Sequence, residues 1–159
     1  MLQVKSAQEA LFIACEMERG AIQLYERALM LLKDLGRENE PIRAQLAYML
    51  ADEKQHLAQF QELYTGLDTE IERRLTLAAV ASAVLFPGGL MGAVREGLIK
   101  DSHSLLVFAS NAEQTAAATY RLFADQCNDS RTVEMLRGIA LEEDKHLRTL
   151  REHQESLNA

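Results

Sequence analysis

Ala51-Asp52-Glu53-Lys54-Gln55-His56-Leu57 and Leu141-Glu142-Glu143-Asp144-Lys145-His146-Leu147 each carry a Glu and a His three residues apart, and they lie 90 residues from one another. On an α-helix, about 100° per residue puts such a pair within about 60° on one face and one turn apart, so both side chains can reach one point. A second repeat precedes each stretch. Leu11, Ala14, Glu18, Ala21 and Tyr25 recur as Leu106, Ala109, Glu113, Ala116 and Tyr120, every pair 95 apart. Glu to Tyr is almost two turns, so each Tyr shares its Glu's stripe, about 10 Å along. The difference between the two offsets falls in a longer first interhelical loop. The chain is an internal duplication, and the polar residues it repeats point inward.

Working outward gives the helices. Leu11, Cys15, Glu18, Ile22, Tyr25, Leu29 and Leu32 recur at steps of three and four, which predicts a first helix from Ser6 to Leu35. Ser6 and Glu9 have capping-box spacing, and Gly36 is a natural stop. A second helix is predicted from near Asn39, with Pro41 in its first turn, to Gly66. A third runs from Asp101 or Ser102 to near Asn128, and a fourth from Asp129 or Ser130 almost to the end. Short loops make each pair an antiparallel hairpin. The expected fold is all-α, a single domain over 1–159. Hairpin 6–66 and hairpin 101–156 form a four-helix bundle joined by a long crossover connection, 67–100.

Composition agrees. The 159 residues fit one domain with a real core, 48% being hydrophobic and 26% charged. Leu (25) and Ala (22) far outnumber Val plus Ile (12), which favours helices over strands. A net charge of −7 argues against a nucleic-acid partner, whose phosphates are bound mainly by Lys and Arg. Two cysteines, Cys15 and Cys127, exclude a zinc ribbon, a thioredoxin motif, a rubredoxin centre and a disulfide scaffold. No secretory signal is read at Met1, so a cytoplasmic location is expected.

Leu75–Val94 holds no charged residue and is flanked by Arg73, Arg74 and Arg95. Twenty such residues could just span a bilayer. Pro87-Gly88-Gly89 interrupts them, and a span would put the two halves of the repeat on opposite sides of the membrane. The stretch is therefore read as an apolar helix to about Phe86, then a bent connection that stays with the bundle. An uncharged surface of that size also predicts a homodimer or higher oligomer.

Glu18, Glu53, His56, Glu113, Glu143 and His146 would bury four carboxylates in the bundle core. Uncompensated, each would cost several kcal/mol. Two divalent cations balance the four charges. A lone Glu-x-x-His reads as a surface helix pair, and Tyr25 or Tyr120 alone as a core aromatic. Two Glu-x-x-His and two Glu-x6-Tyr in register read as a binuclear site.

With these residues in view, the chain resembles the ferritin-like di-iron carboxylate proteins. Glu18-Arg-Gly-Ala-Ile-Gln-Leu-Tyr25 and Asp52-Glu53-Lys-Gln-His56 look most similar to the rubrerythrin-like branch. The resemblance implies Glu53 and Glu143 as bridging ligands, Glu18 and Glu113 as terminal ones, and one nitrogen per metal from His56 and His146. Tyr25 and Tyr120 would orient carboxylates across the bundle. It also implies two iron ions, with manganese or a mixed iron–manganese pair open, and iron suits an oxygen-rich binuclear site better than zinc. The chain departs from rubrerythrins in two ways. It lacks Cys pairs for a rubredoxin domain, and positions 116–118 are all Ala where an extra carboxylate is usual. Electrons would then come from an external donor such as a rubredoxin-like protein.

The leading functional expectation is an oxidoreductase reducing hydrogen peroxide or dioxygen. A ferroxidase or iron-storage protein and a non-enzymatic interaction bundle are the alternatives. Cys15 is expected as an inert buried thiol, Cys127 as structural or surface, His103 as a solvated first-turn residue and His153 as a bundle-end residue. Asp52, Glu142 and Asp144 either face solvent or bond the ligands.

Overall fold

The computed structural model describes residues 2–37, 40–86 and 88–158, without the side chains of 90 and 156–158. The described residues form six helices and no strands: α1 (Ala7–Asp34), α2 (Pro41–Leu63), α3 (Thr69–Ala81), α4 (Gly89–Arg95), α5 (Ser102–Gln126) and α6 (Ser130–Asn158). α1 with α2 and α5 with α6 are the two hairpins of the bundle. α1 packs on α5 and α2 on α6, and α3 and α4 lie along α1.

Local chemistry sets the ends. Ser6 Oγ accepts from Glu9 N at 3.2 Å and starts α1, but the Glu9 carboxylate accepts from Lys5 N, not from Ser6 as a full capping box would require. At the other end, Gly36 takes φ 67°, a conformation open to glycine, and Arg37 N donates back to Leu32 O at 2.8 Å. Pro41 opens α2; the expected start near Asn39 lies outside the described residues. α2 stops at Leu63, short of Gly66, because Gln8 intervenes. Its amide donates to Leu63 O at 3.1 Å and accepts from Thr65 N at 2.7 Å. α5 opens on a reciprocal Asp101–Ser104 capping box. It ends at Gln126 rather than Asn128, and the Gln126 side chain accepts from Val4 N at 3.0 Å, tying the N-terminal strap down. Asp129 caps α6 by accepting from Thr132 N at 3.0 Å.

The connector differs from expectation. α3 ends at Ala81, so the apolar helix does not reach Phe86. Ala83 takes φ 60° and Val84 N donates to Ala79 O at 2.9 Å, which turns the chain back. Packing explains the turn. Val84 and Leu85 cover one apolar cluster, built around Leu11, Ile13, Phe60 and Phe123. Phe86 covers the other, built around Leu24, Leu32, Leu46 and Leu150, and stacks edge-on against Phe108 with ring centres 5.8 Å apart. A straight helix could not serve both clusters. Among the described residues, no helix is long and apolar enough to cross a membrane.

The two clusters lie toward opposite ends of the bundle. Between them runs a layer of charged side chains.

Candidate metal centre

That layer is built by the four long helices. α1 supplies Glu18, α2 supplies Glu53 and His56, α5 supplies Glu113, and α6 supplies Glu143 and His146. All six are buried, with at most 6% of any of them exposed. They form two overlapping groups, Glu18–Glu53–His56–Glu143 and Glu53–Glu113–Glu143–His146, each with one ligand atom per residue and all atoms within 4.8 Å. Glu53 and Glu143 belong to both groups. His56 Nδ1 lies 3.2 Å from Glu143 Oε1, 3.6 Å from Glu53 Oε1 and 3.7 Å from Glu18 Oε2. His146 Nδ1 lies 2.9 Å from Glu53 Oε1, 3.3 Å from Glu113 Oε1 and 3.5 Å from Glu143 Oε1.

The bonds that hold these side chains cross between hairpins. Tyr120 donates to Glu18 Oε1 at 2.7 Å, and Tyr25 donates to Glu113 Oε1. His146 Nε2 meets Asp52 Oδ2 at 2.9 Å, and His56 Nε2 meets Glu142 Oε2. Each tie has a counterpart generated by the sequence duplication. With Nε2 engaged outward, Nδ1 is the nitrogen turned into the cluster. Asp52 and Glu142 therefore do both things the sequence left open: about half of each side chain is exposed, while one oxygen fixes a histidine ring of the opposite hairpin.

Burial and mutual repulsion shape the protonation of the metal-free cluster. Burial, then the charges of Glu18, Glu113 and Glu143, hold Glu53 well above the usual carboxylate range. Burial and the Glu113 charge push Glu143 up to about 8. For His56, burial works downward, but the carboxylates of Glu143 and Glu18 facing its ring outweigh it and raise the imidazole to about 11. His146 is raised to about 9, against burial, by Glu113 and Glu143. Burial, then the carboxylate charges, keeps both tyrosines protonated.

Whether the residues fit a metal is decided by the atoms left over. Glu18 Oε2, Glu53 Oε1 and Oε2, His56 Nδ1, Glu113 Oε2, Glu143 Oε1 and His146 Nδ1 are buried without a hydrogen-bond partner. Buried polar atoms are rarely left so. All seven belong to the two groups, and all are carboxylate oxygens or imidazole nitrogens, the donors that divalent iron or manganese accepts. The cluster fits a metal site. A family model described as Rubrerythrin matches residues 9–154, nearly the whole chain. The chain belongs to the rubrerythrin family. No curated protein and no solved structure matches it. The bundle is accordingly ferritin-like, and metal binding is the property that the family and the cluster share.

Other residues of this rubrerythrin-family chain take lesser positions. Cys15 is buried and its thiol is pushed up to about 11 by burial, so it stays protonated, and it joins neither group. Cys127 is buried rather than at the surface. His103 is exposed, and His153 lies at the bundle end, half-buried. Asp144 pairs with Arg121 on the outer surface. Ala116 and Ala117 are buried beyond Glu113, so no carboxylate stands there. What sequence reading missed is that Asp52 and Glu142 each hold the histidine of the opposite hairpin. The signal was the acidic residue directly before Glu53 and Glu143, repeated at the same offset.

Proposed function

We propose that this chain is a di-iron oxidoreductase that reduces hydrogen peroxide or dioxygen with electrons from a separate donor protein. The observation that carries the reading is the pair of overlapping four-residue groups with seven orphaned donor atoms. Glu18, His56 and the shared Glu53 and Glu143 would hold one ion; Glu113, His146 and the same shared pair would hold the other. Two iron ions, when bound, supply one electron each, which matches a two-electron reduction.

The chain's own contribution is to fix the donors beforehand. Tyr120 and Tyr25 each occupy one oxygen of Glu18 and Glu113, leaving Oε2 to bind. Glu142 and Asp52 hold the imidazole rings so that Nδ1 points inward. The apolar clusters on either side exclude water and limit side reactions. Four carboxylates against two dications leave the layer neutral, favouring the higher oxidation state more than an all-histidine site would. Assembly as a homodimer, in the cytoplasm, belongs to the same proposal; the exposed Leu77 and Met91 on α3 and α4 support an interface there.

The test is anaerobic loading with iron(II) followed by stoichiometric hydrogen peroxide. Oxidation of two irons per peroxide, with the iron retained and re-reducible by a small redox protein, supports the proposal. Continuous uptake of iron into a mineral under air would replace it with a storage role.

A further inference from the structure

Away from the carboxylate layer, the Tyr25 end of the bundle holds a cavity of about 490 Å³ to which all four long helices contribute. That volume is in the range of small-molecule sites. Its walls are Leu32, Ile42, Leu46, Leu105 and Leu106, each at least nine-tenths buried, with Ala28 beside them. The site is separate from the metal centre. Leu46 and Leu106 precede Glu53 and Glu113 by seven residues, about two helical turns or 10 Å along the axis. Tyr25, Met49 and Leu150 belong to the apolar cluster at this end and are fully packed.

The rim has a definite character. Glu40, Ser102, Glu152 and His153 line the cavity where it meets solvent. Glu40 is paired with Arg37, whose guanidinium also donates to Ser102 Oγ at 3.1 Å. Among the described residues, Glu152 has no ion-pair partner and no lysine or arginine lines the cavity. Apolar walls below a rim that carries the unpaired Glu152 suit a molecule with a hydrocarbon tail and a positively charged head. A carboxylate head would face Glu152 with like charge.

We infer that this cavity is a second binding site, for a primary alkylamine whose chain lies between the helices and whose ammonium group is met by Glu152. The inference does not depend on the metal or on the proposed reaction.

Isothermal titration of the full chain with n-octylamine, n-octanol and octanoate tests it, with metal content measured in parallel. Saturable binding of one octylamine per chain, at least tenfold tighter than octanoate and with octanol between, is expected. Ala28→Phe fills the cavity and should weaken octylamine at least tenfold without changing metal content. Glu152→Lys, at an exposed position that leaves the packing alone, should remove the preference for the amine over octanoate. No saturable octylamine binding, octanoate binding as tightly as the amine, or an unchanged preference in Glu152→Lys would overturn the inference.

Discussion

The Tyr120 hydroxyl of α5 donates to Glu18 of α1 across 2.7 Å, and Tyr25 of α1 returns the same bond to Glu113 of α5. Both acceptors also carry an orphaned Oε2. One oxygen of each carboxylate is thus committed to a neighbouring helix and the other is left for a ligand.

Tyr120→Phe should expose the importance of that commitment. The buried Glu18 Oε1 loses its donor, which destabilises folding by about 1–2 kcal/mol. Metal affinity should fall about tenfold as the carboxylate loses its orientation. Urea unfolding of the metal-free chain and competition with a chelator read the two effects separately. Unchanged affinity would show that Glu18 is oriented without the hydroxyl.

Glu142→Ala removes the oxygen that fixes His56. Affinity should fall roughly 10–100-fold, mainly for one of two ions, because only the group containing His56 is loosened. Asp144→Ala, on the same helix but bonded to Arg121 at the surface, should leave metal affinity unchanged. Equal loss in both variants would mean general destabilisation rather than ring positioning.

The metal-free chain should lose stability as pH rises. Glu143 is raised from 4.5 to about 8, and Glu53 is raised also. His56 and His146 are raised from 6.5 to about 11 and about 9. In every case the folded state binds protons more tightly than the unfolded chain. Stability therefore declines between about pH 4.5 and 8 through the carboxylates, and from about 6.5 upward through the histidines. Metal ions displace those protons, so loading should oppose the decline. Thermal unfolding of the metal-free chain at pH 5, 7 and 9 checks the sign, and a melting temperature that rises with pH would contradict it.

Ala83 adopts a left-handed φ of 60° where α3 ends. A side chain there costs about 1 kcal/mol that glycine does not incur. Ala83→Gly should raise the unfolding free energy by up to about 1 kcal/mol with metal content unchanged. Equilibrium denaturation measures it, and a loss of stability would show that the greater unfolded-state entropy of glycine outweighs the relief of strain.

Much of this molecule is readable without coordinates because it is written twice. Glu18 and Glu113, Glu53 and Glu143, His56 and His146 keep helical spacing in both halves, and tertiary structure has only to close the bundle around them. The ends of α2 and α3 were less legible. Gln8 terminates α2 from 55 residues away, a long-range tie that leaves no local signal. Ala81-Ser82-Ala83-Val84 contains no helix breaker, and the turn there comes from Val84, Leu85 and Phe86 reaching different clusters. The roles of Asp52 and Glu142 were half legible. Their repetition marks them, but the bond to the opposite hairpin's histidine exists only once α2 lies against α6.

In the proposed metal centre, Glu53 and Glu143 are shared between two metal positions. Elemental analysis of anaerobically iron-loaded protein, wild type beside Glu53→Ala, tests it most directly. Two irons per chain in the wild type, and cooperative loss of both in the variant, are the predicted results. One iron or none in the wild type, or two irons held with unchanged affinity by Glu53→Ala, would contradict a shared pair of carboxylates.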